Sequence, residues 1–214
     1  MNTLYVFDAD GTVIDSQRAV VQSQIESLVK ATGEQYSKLE RELSDFGLNN
    51  VLNARGIGKD YFFNKIHKTF DPFEKAKNGS IRIFPDAIEV LPKLDGTKAL
   101  ISNSSIEATE KKIKALDFGS YMNYVFAEFE SGKAKPSPYM AEKLAYEMKK
   151  DGIFEPDMRI LNIGDAETDM LFGDSLSKVF PQYEVTNFLV DRCGKYKGNA
   201  NARIIKSLGE INGI

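Results

Sequence analysis

Five short, largely apolar runs punctuate the chain, at residues 3 to 7 (TLYVF), 98 to 102 (KALIS), 123 to 127 (NYVFA), 159 to 163 (RILNI) and 184 to 190 (EVTNFLV). Between them lie segments of helical spacing or loop composition. Strands of this kind alternating with helices fold as α/β proteins with a mainly parallel sheet. Between residues 138 and 150, Ala141, Leu144, Ala145 and Met148 share one helical face, with Ser137 placed to cap the start and Pro138 suited to the first turn. A second helix is expected from near Ser104, where Ser104 and Glu107 have capping-box spacing and Ile106, Ile113 and Leu116 form an interrupted apolar stripe.

Residues 16 to 80 break this rhythm. They are rich in Gln, Glu, Lys and Ser, contain no convincing β run, and read as several amphipathic helices. Structureless connections beyond about 15 residues are uncommon, so this stretch is expected to be a small helical domain. It is inserted into a core made of residues 1–15 and 81–214. The 214 residues suffice for one sizeable core plus such an appendage.

A net charge of -3 argues against a broad cationic nucleic-acid surface and leaves small anionic ligands as the expected partners. The one cysteine, Cys193, excludes an internal disulfide framework and a cysteine zinc cluster, and reads as an inert or buried thiol. Residues 1 to 8 show no charged region leading into an apolar signal segment, and no run approaches the roughly 18 apolar residues of a membrane span. The expectation is a cytoplasmic protein without membrane or nucleic-acid partners.

Four groups of polar residues follow expected strands. Asp8 and Asp10 lie in Asp8-Ala9-Asp10-Gly11-Thr12 after the first. Asp and Gly favour turns, so the pair alone could be a strand exit. Ser102 and Asn103 end the KALIS strand and precede a helix N-terminus, where main-chain amides attract an anion, although a Ser-Asn-Ser-Ser cluster can also merely cap. Lys135 precedes Pro136-Ser137-Pro138 at the start of the next helix and supplies a point cation. Asp165 and Asp169 lie in Gly164-Asp165-Ala166-Glu167-Thr168-Asp169 after RILNI, and hard carboxylate oxygens of this kind suit magnesium. Ligands of open parallel sheets bind beyond the carboxyl ends of strands, where all four groups fall.

Their order resembles the four motifs of the haloacid dehalogenase superfamily over Asp8 to Asp169, without departure at these positions. The resemblance implies a Rossmann-like parallel-sheet core and a helical cap like that of phosphoglycolate phosphatase-like members, in a Mg2+-dependent phosphatase acting on a small phosphorylated metabolite. It implies that Asp8 attacks phosphorus to form an aspartyl-phosphate. Asp10 protonates the leaving oxygen and then activates water. Magnesium would be held by Asp8, Asp165 and the Asp10 main-chain carbonyl, with Asp169 a further ligand or a hydrogen-bonding neighbour of one. Ser102, the Asn103 amide and Lys135 would grip phosphoryl oxygens. Within the insert, Arg55 and Lys59 flank glycines in Asn53-Ala54-Arg55-Gly56-Ile57-Gly58-Lys59, a candidate substrate loop. His67, the single histidine, reads as a packing or surface residue.

Two other readings stay open. A phosphomutase of the β-phosphoglucomutase type would share fold, metal and nucleophile, but residues 17 to 24 lack the histidine that subgroup carries. A phospho-acceptor module or a catalytically retired binding protein would belong to another class. The Asp8-x-Asp10 spacing and the insert weigh against the first of these, the complete side-chain set against the second.

Overall fold

The computed structural model describes residues 2–66, 70–130, 132–194, 196 and 201–211, with Asn64 described by its backbone alone. His67 lies outside the described residues. Strands β1 (Thr3–Phe7), β4 (Thr97–Ser102), β5 (Tyr124–Ala127), β6 (Arg159–Gly164), β7 (Val185–Val190) and β8 (Arg203–Ile205) form one six-stranded sheet, in the order β5-β4-β1-β6-β7-β8. Every pairing in it is parallel. Helices α5 (Pro85–Val90), α6 (Ile106–Leu116), α7 (Tyr139–Lys150) and α8 (Glu167–Val179) connect the strands. The fold is the α/β Rossmann-like fold that the alternating runs indicate.

Period-two alternation between two packed faces explains why β1 is buried throughout. Tyr5 and Phe7 join one buried cluster with Val90, Leu91, Phe118 and Leu208. Leu4 and Val6 join another with Met140, Leu144, Phe172 and Leu176. A fully buried leucine such as Leu144 is worth about 1.5–3 kcal/mol in water-exclusion free energy. β1 is also the switch point, because the chain first builds outward through β4 and β5 and later returns to add β6 on the other side of β1. Phe7 is in register with Leu100 on one side and Ile163 on the other. That register brings the ends of β1, β4 and β6 to one level, with Asp8, Ser102 and Asp165 just beyond the aligned residues.

Two features escape the sequence pattern. β2 (Ile14–Asp15) and β3 (Arg82–Ile83) are too short for a hydrophobic period, yet pair antiparallel, Asp15 opposite Arg82. β8 is an edge strand whose exposed Arg203 and Ile204 leave only Ile205 buried. The α6 expectations need correction as well. Ser105, rather than Ser104, caps the helix by accepting from the Ala108 amide, and Ile106 is exposed, while the buried positions are Thr109 and Lys112. The α7 helix opens at Tyr139, one residue after Pro138. Cys193 is exposed, not buried.

By contacts the chain groups into two compact units, residues 1–15 with 82–214, and residues 16–81. The second unit holds α1 (Gln17–Thr32), α2 (Tyr36–Asn53, interrupted at Gly47), the short α3 (Lys59–Tyr61), a π-helical turn at Phe62–Ile66 and α4 (Pro72–Lys77). It has a core of its own, built on Ile25, Leu28, Leu39, Leu43, Val51, Leu52 and Phe62. Among the described residues no helix is long and apolar enough to cross a membrane.

Candidate active site

Asp8 leaves β1 with its amide donating to the Ile163 carbonyl at 2.8 Å, which extends the sheet pairing by one residue and aims the side chain beyond the strand ends. The chain then turns sharply. Gly11 adopts φ +97°, a left-handed conformation that only glycine takes without strain, and its amide closes the turn onto the Ile14 carbonyl at 2.8 Å.

Lys135 is buried, and its ammonium places its donors on the Asp8 Oδ1 at 2.6 Å, the Asp169 Oδ1 at 2.7 Å and the Ile101 carbonyl at 2.8 Å. Burial disfavours the cation, but the two carboxylates outweigh that and hold the Lys135 ammonium above its usual value. Asp169 is fixed in turn by the Ala166 amide, which donates to its Oδ2 at 3.0 Å. Asn103 sets the Lys135 backbone, accepting from the Lys135 amide at 2.7 Å and donating to its carbonyl at 3.2 Å. The Asn103 side chain is thus a brace. Ser102 is buried at the end of β4, its hydroxyl accepting from the Ser104 amide at 3.2 Å.

Asp8, Asp165 and Asp169 can each offer a carboxylate oxygen within 4.8 Å of the others. Burial pushes the Asp8 carboxyl well above its ordinary value; Lys135 pulls it down, while Asp169 and Asp165 push it further up. Its Oδ2 is buried and has no hydrogen-bond partner among the described residues. An orphaned carboxylate oxygen among converging acids is costly in a bare protein, and a hard divalent cation relieves both the missing partner and the mutual repulsion. The residues present therefore fit an oxygen-ligated metal.

Asp10 sits differently from Asp8. Its two carboxylate oxygens accept from the Lys112 ammonium at 2.7 and 2.6 Å, and the Ser104 hydroxyl donates to Oδ2 at 3.3 Å. The sequence reading missed Lys112 and gave Ser104 only a capping role. Nothing local distinguishes Lys112 from its neighbour Lys111, which pairs on the surface with Glu107.

In the inserted unit, the Arg55 side chain is largely buried and engaged within the unit. Its guanidinium donates to Glu34, Glu42 and the Val51 carbonyl, joining the start of α2 to its end. Hydrogen bonds from Arg55 and then Lys38 pull the Glu34 carboxyl down to about 2. Lys59 is exposed at the first residue of α3.

The parallel sheet thus carries the paired Asp8 and Lys135 at its switch point, with further acids after β6. The sequence pattern of one hydrolase family, haloacid dehalogenase-like hydrolase, matches residues 3–176, and the chain belongs to this family. A relative named "Putative pyrophosphatase PpaX", from Caldanaerobacter subterraneus subsp. tengcongensis, is 27% identical over 176 residues, 81% of this chain and 77% of that one. The crystal structure of a HAD phosphatase from Thermococcus onnurineus superposes with TM-score 0.65 at 17% identity, covering 98% of this chain and 95% of the other. A structure named "putative beta-phosphoglucomutase", from Thermotoga maritima, superposes with TM-score 0.63 at 16% identity, covering 96% and 94%. At such identities these structures establish the fold, which phosphatase and mutase share by name.

Proposed function

We propose that the protein is a Mg2+-dependent phosphatase that hydrolyses a small phosphomonoester through an aspartyl-phosphate on Asp8. The observation that carries this reading is the Asp8 carboxylate itself, held through Oδ1 by Lys135 while Oδ2 lies buried without a partner among the described residues. Lys135 fixes the direction of the carboxylate, and a bound cation would take up the unpartnered oxygen, which leaves the Lys135-bound oxygen to attack phosphorus. In the first half-reaction Asp8 forms a P–O bond as the ester P–O bond breaks, and Asp10 gives its proton to the leaving oxygen. In the second, Asp10 removes a proton from water as that water attacks the aspartyl-phosphate, which frees phosphate and restores both acids.

Asp8, Asp165 and the Asp10 main-chain carbonyl would hold the magnesium, with Asp169 serving chiefly to anchor Lys135. When bound, the ion supplies charge neutralisation for the phosphoryl oxygens and favours the ionised form of Asp8. Lys135, the Ser102 hydroxyl and the Asn103 main-chain amide grip the remaining oxygens, the electrostatic stabilisation on which phosphoryl transfer mainly depends. The helical insert acts as a cap that meets the organic part of the substrate. Such a protein works on soluble phosphorylated metabolites, in keeping with a cytoplasmic location.

The test is phosphate release from a panel of phosphomonoesters, with magnesium and with EDTA, for the wild type and Asp8→Asn. Release that needs magnesium and falls at least about 10³-fold in the variant is expected. Undiminished release by a clean preparation of Asp8→Asn would remove Asp8 from the nucleophile's role.

A further inference from the structure

We propose that Lys112 is a positioning residue for proton transfer to the leaving group, acting through Asp10; the inference rests on the reading of Asp10 as the acid of the first half-reaction. Lysines are seldom buried, yet the Lys112 side chain is 4% exposed, beneath an Asp10 side chain that is 24% exposed. Its ammonium contacts both oxygens of the Asp10 carboxylate, at 2.7 and 2.6 Å. Ser104 adds a third donor at 3.3 Å.

Stability does not account for this arrangement. A buried ion pair is on average no better than an apolar residue of similar volume, because both charges are taken out of water. α6 already has apolar neighbours to extend, since Ile113 and Leu116, one and four residues after Lys112, pack against the core. What the ammonium adds is direction. A carboxyl group has a nearly free two-fold torsion, and two contacts from one buried cation fix that torsion. In the reacting complex one oxygen stays on Lys112 and the other carries the proton. That O–H bond breaks as the new O–H bond to the leaving oxygen forms, the ester P–O bond breaks and the Asp8–phosphorus bond forms. Asp10 regains the proton from the water of the second half-reaction, so Lys112 is unchanged over the cycle.

Orientation of an acid matters in proportion to how much the leaving group needs its proton, and this provides the test. kcat/KM is measured for the wild type, Lys112→Met and Lys112→Arg on 4-nitrophenyl phosphate, whose leaving oxygen departs readily as an anion, and on benzyl phosphate, whose alkoxide does not. Both rings are of similar size. Lys112→Met is expected to lower kcat/KM about three-fold on the nitrophenyl ester and about 30- to 100-fold on the benzyl ester, with Lys112→Arg recovering most of the difference. Equal losses on the two esters would reduce Lys112 to a packing residue, and no loss on either would remove it altogether. Thermal melting confirms folding, and Lys112→Gln takes the place of Lys112→Met if the latter does not fold. Wild-type turnover insensitive to Asp8→Asn would instead overturn the catalytic reading, and this inference with it.

Discussion

At Gly164 the missing side chain makes room for the Asp169 carboxylate. A Cβ built there would lie 2.2 Å from the Asp169 Cβ and 2.5 Å from its Oδ2, so Asp169 can fold back over the end of β6 only because residue 164 has no side chain. Gly164→Ala must displace Asp169 from Lys135, a contact now at 2.7 Å. We expect phosphatase kcat to fall at least about ten-fold, with a stability loss of about 1–3 kcal/mol from overpacking. Phosphate release measured alongside urea denaturation checks both; full activity would show that the Asp169–Lys135 contact is dispensable. This scale is also where sequence reading reached furthest and then stopped. Asp8, Ser102, Lys135, Asp165 and Asp169 each lie just past a strand or at a helix start, and local pattern can recognise such places. Lys112 lies 102 residues from Asp10 in an ordinary helical stretch, and the second role of Asn103 as a brace is likewise invisible without the fold.

Between elements, a single carboxylate ties the start of α5 to two distant segments. Asp86 Oδ2 accepts from the Arg192 guanidinium, the Ser207 hydroxyl and the Leu208 amide, and Arg192 also donates to the Thr12 carbonyl in the loop that carries Asp8 and Asp10. The Arg192 guanidinium lies 3.9 Å from the centre of the Phe84 ring. Burial pushes the Asp86 carboxyl up, but these donors, Arg192 foremost, outweigh it and hold the group below its usual value. Its stabilising effect is therefore complete above the unfolded-state value, about 3.9, and is lost as pH falls through the lower folded-state value. Asp86→Asn should cost about 2 kcal/mol near neutrality. Urea denaturation of both proteins across pH should show a gap that is flat from about pH 7 to 5 and narrows below about 4. A gap independent of pH down to 2.5 would mean that packing, not charge, is what Asp86 supplies. None of this network was legible beforehand. Strands of five or six residues announce themselves through apolar content, whereas β8 and the β2–β3 pair, two or three residues long, are defined only by the strands they pair with.

For the molecule as a whole, the insertion point is the informative feature. Residues 16–81 leave and re-enter the core at neighbouring positions, because Asp15 and Arg82 are direct partners in the antiparallel β2–β3 pair and the Arg82 Nε donates to the Asp15 Oδ2 at 3.0 Å. The inserted unit also buries its own apolar cluster. Replacing residues 16–81 by the two residues Asn-Gly would join β2 to β3 through the turn that two-residue hairpins favour, leaving both core clusters and every proposed catalytic side chain in place. The shortened chain is expected to unfold cooperatively and to keep magnesium-dependent hydrolysis of 4-nitrophenyl phosphate, reduced about 10²-fold if the insert helps to hold the substrate. If the insert selects the substrate, the spread of kcat/KM across the ester panel should contract, since the phosphate-gripping residues meet only what all esters share. An undiminished spread would place selectivity in the core loops. A shortened chain that does not fold would show that the core depends on its insert, despite the adjacency of Asp15 and Arg82.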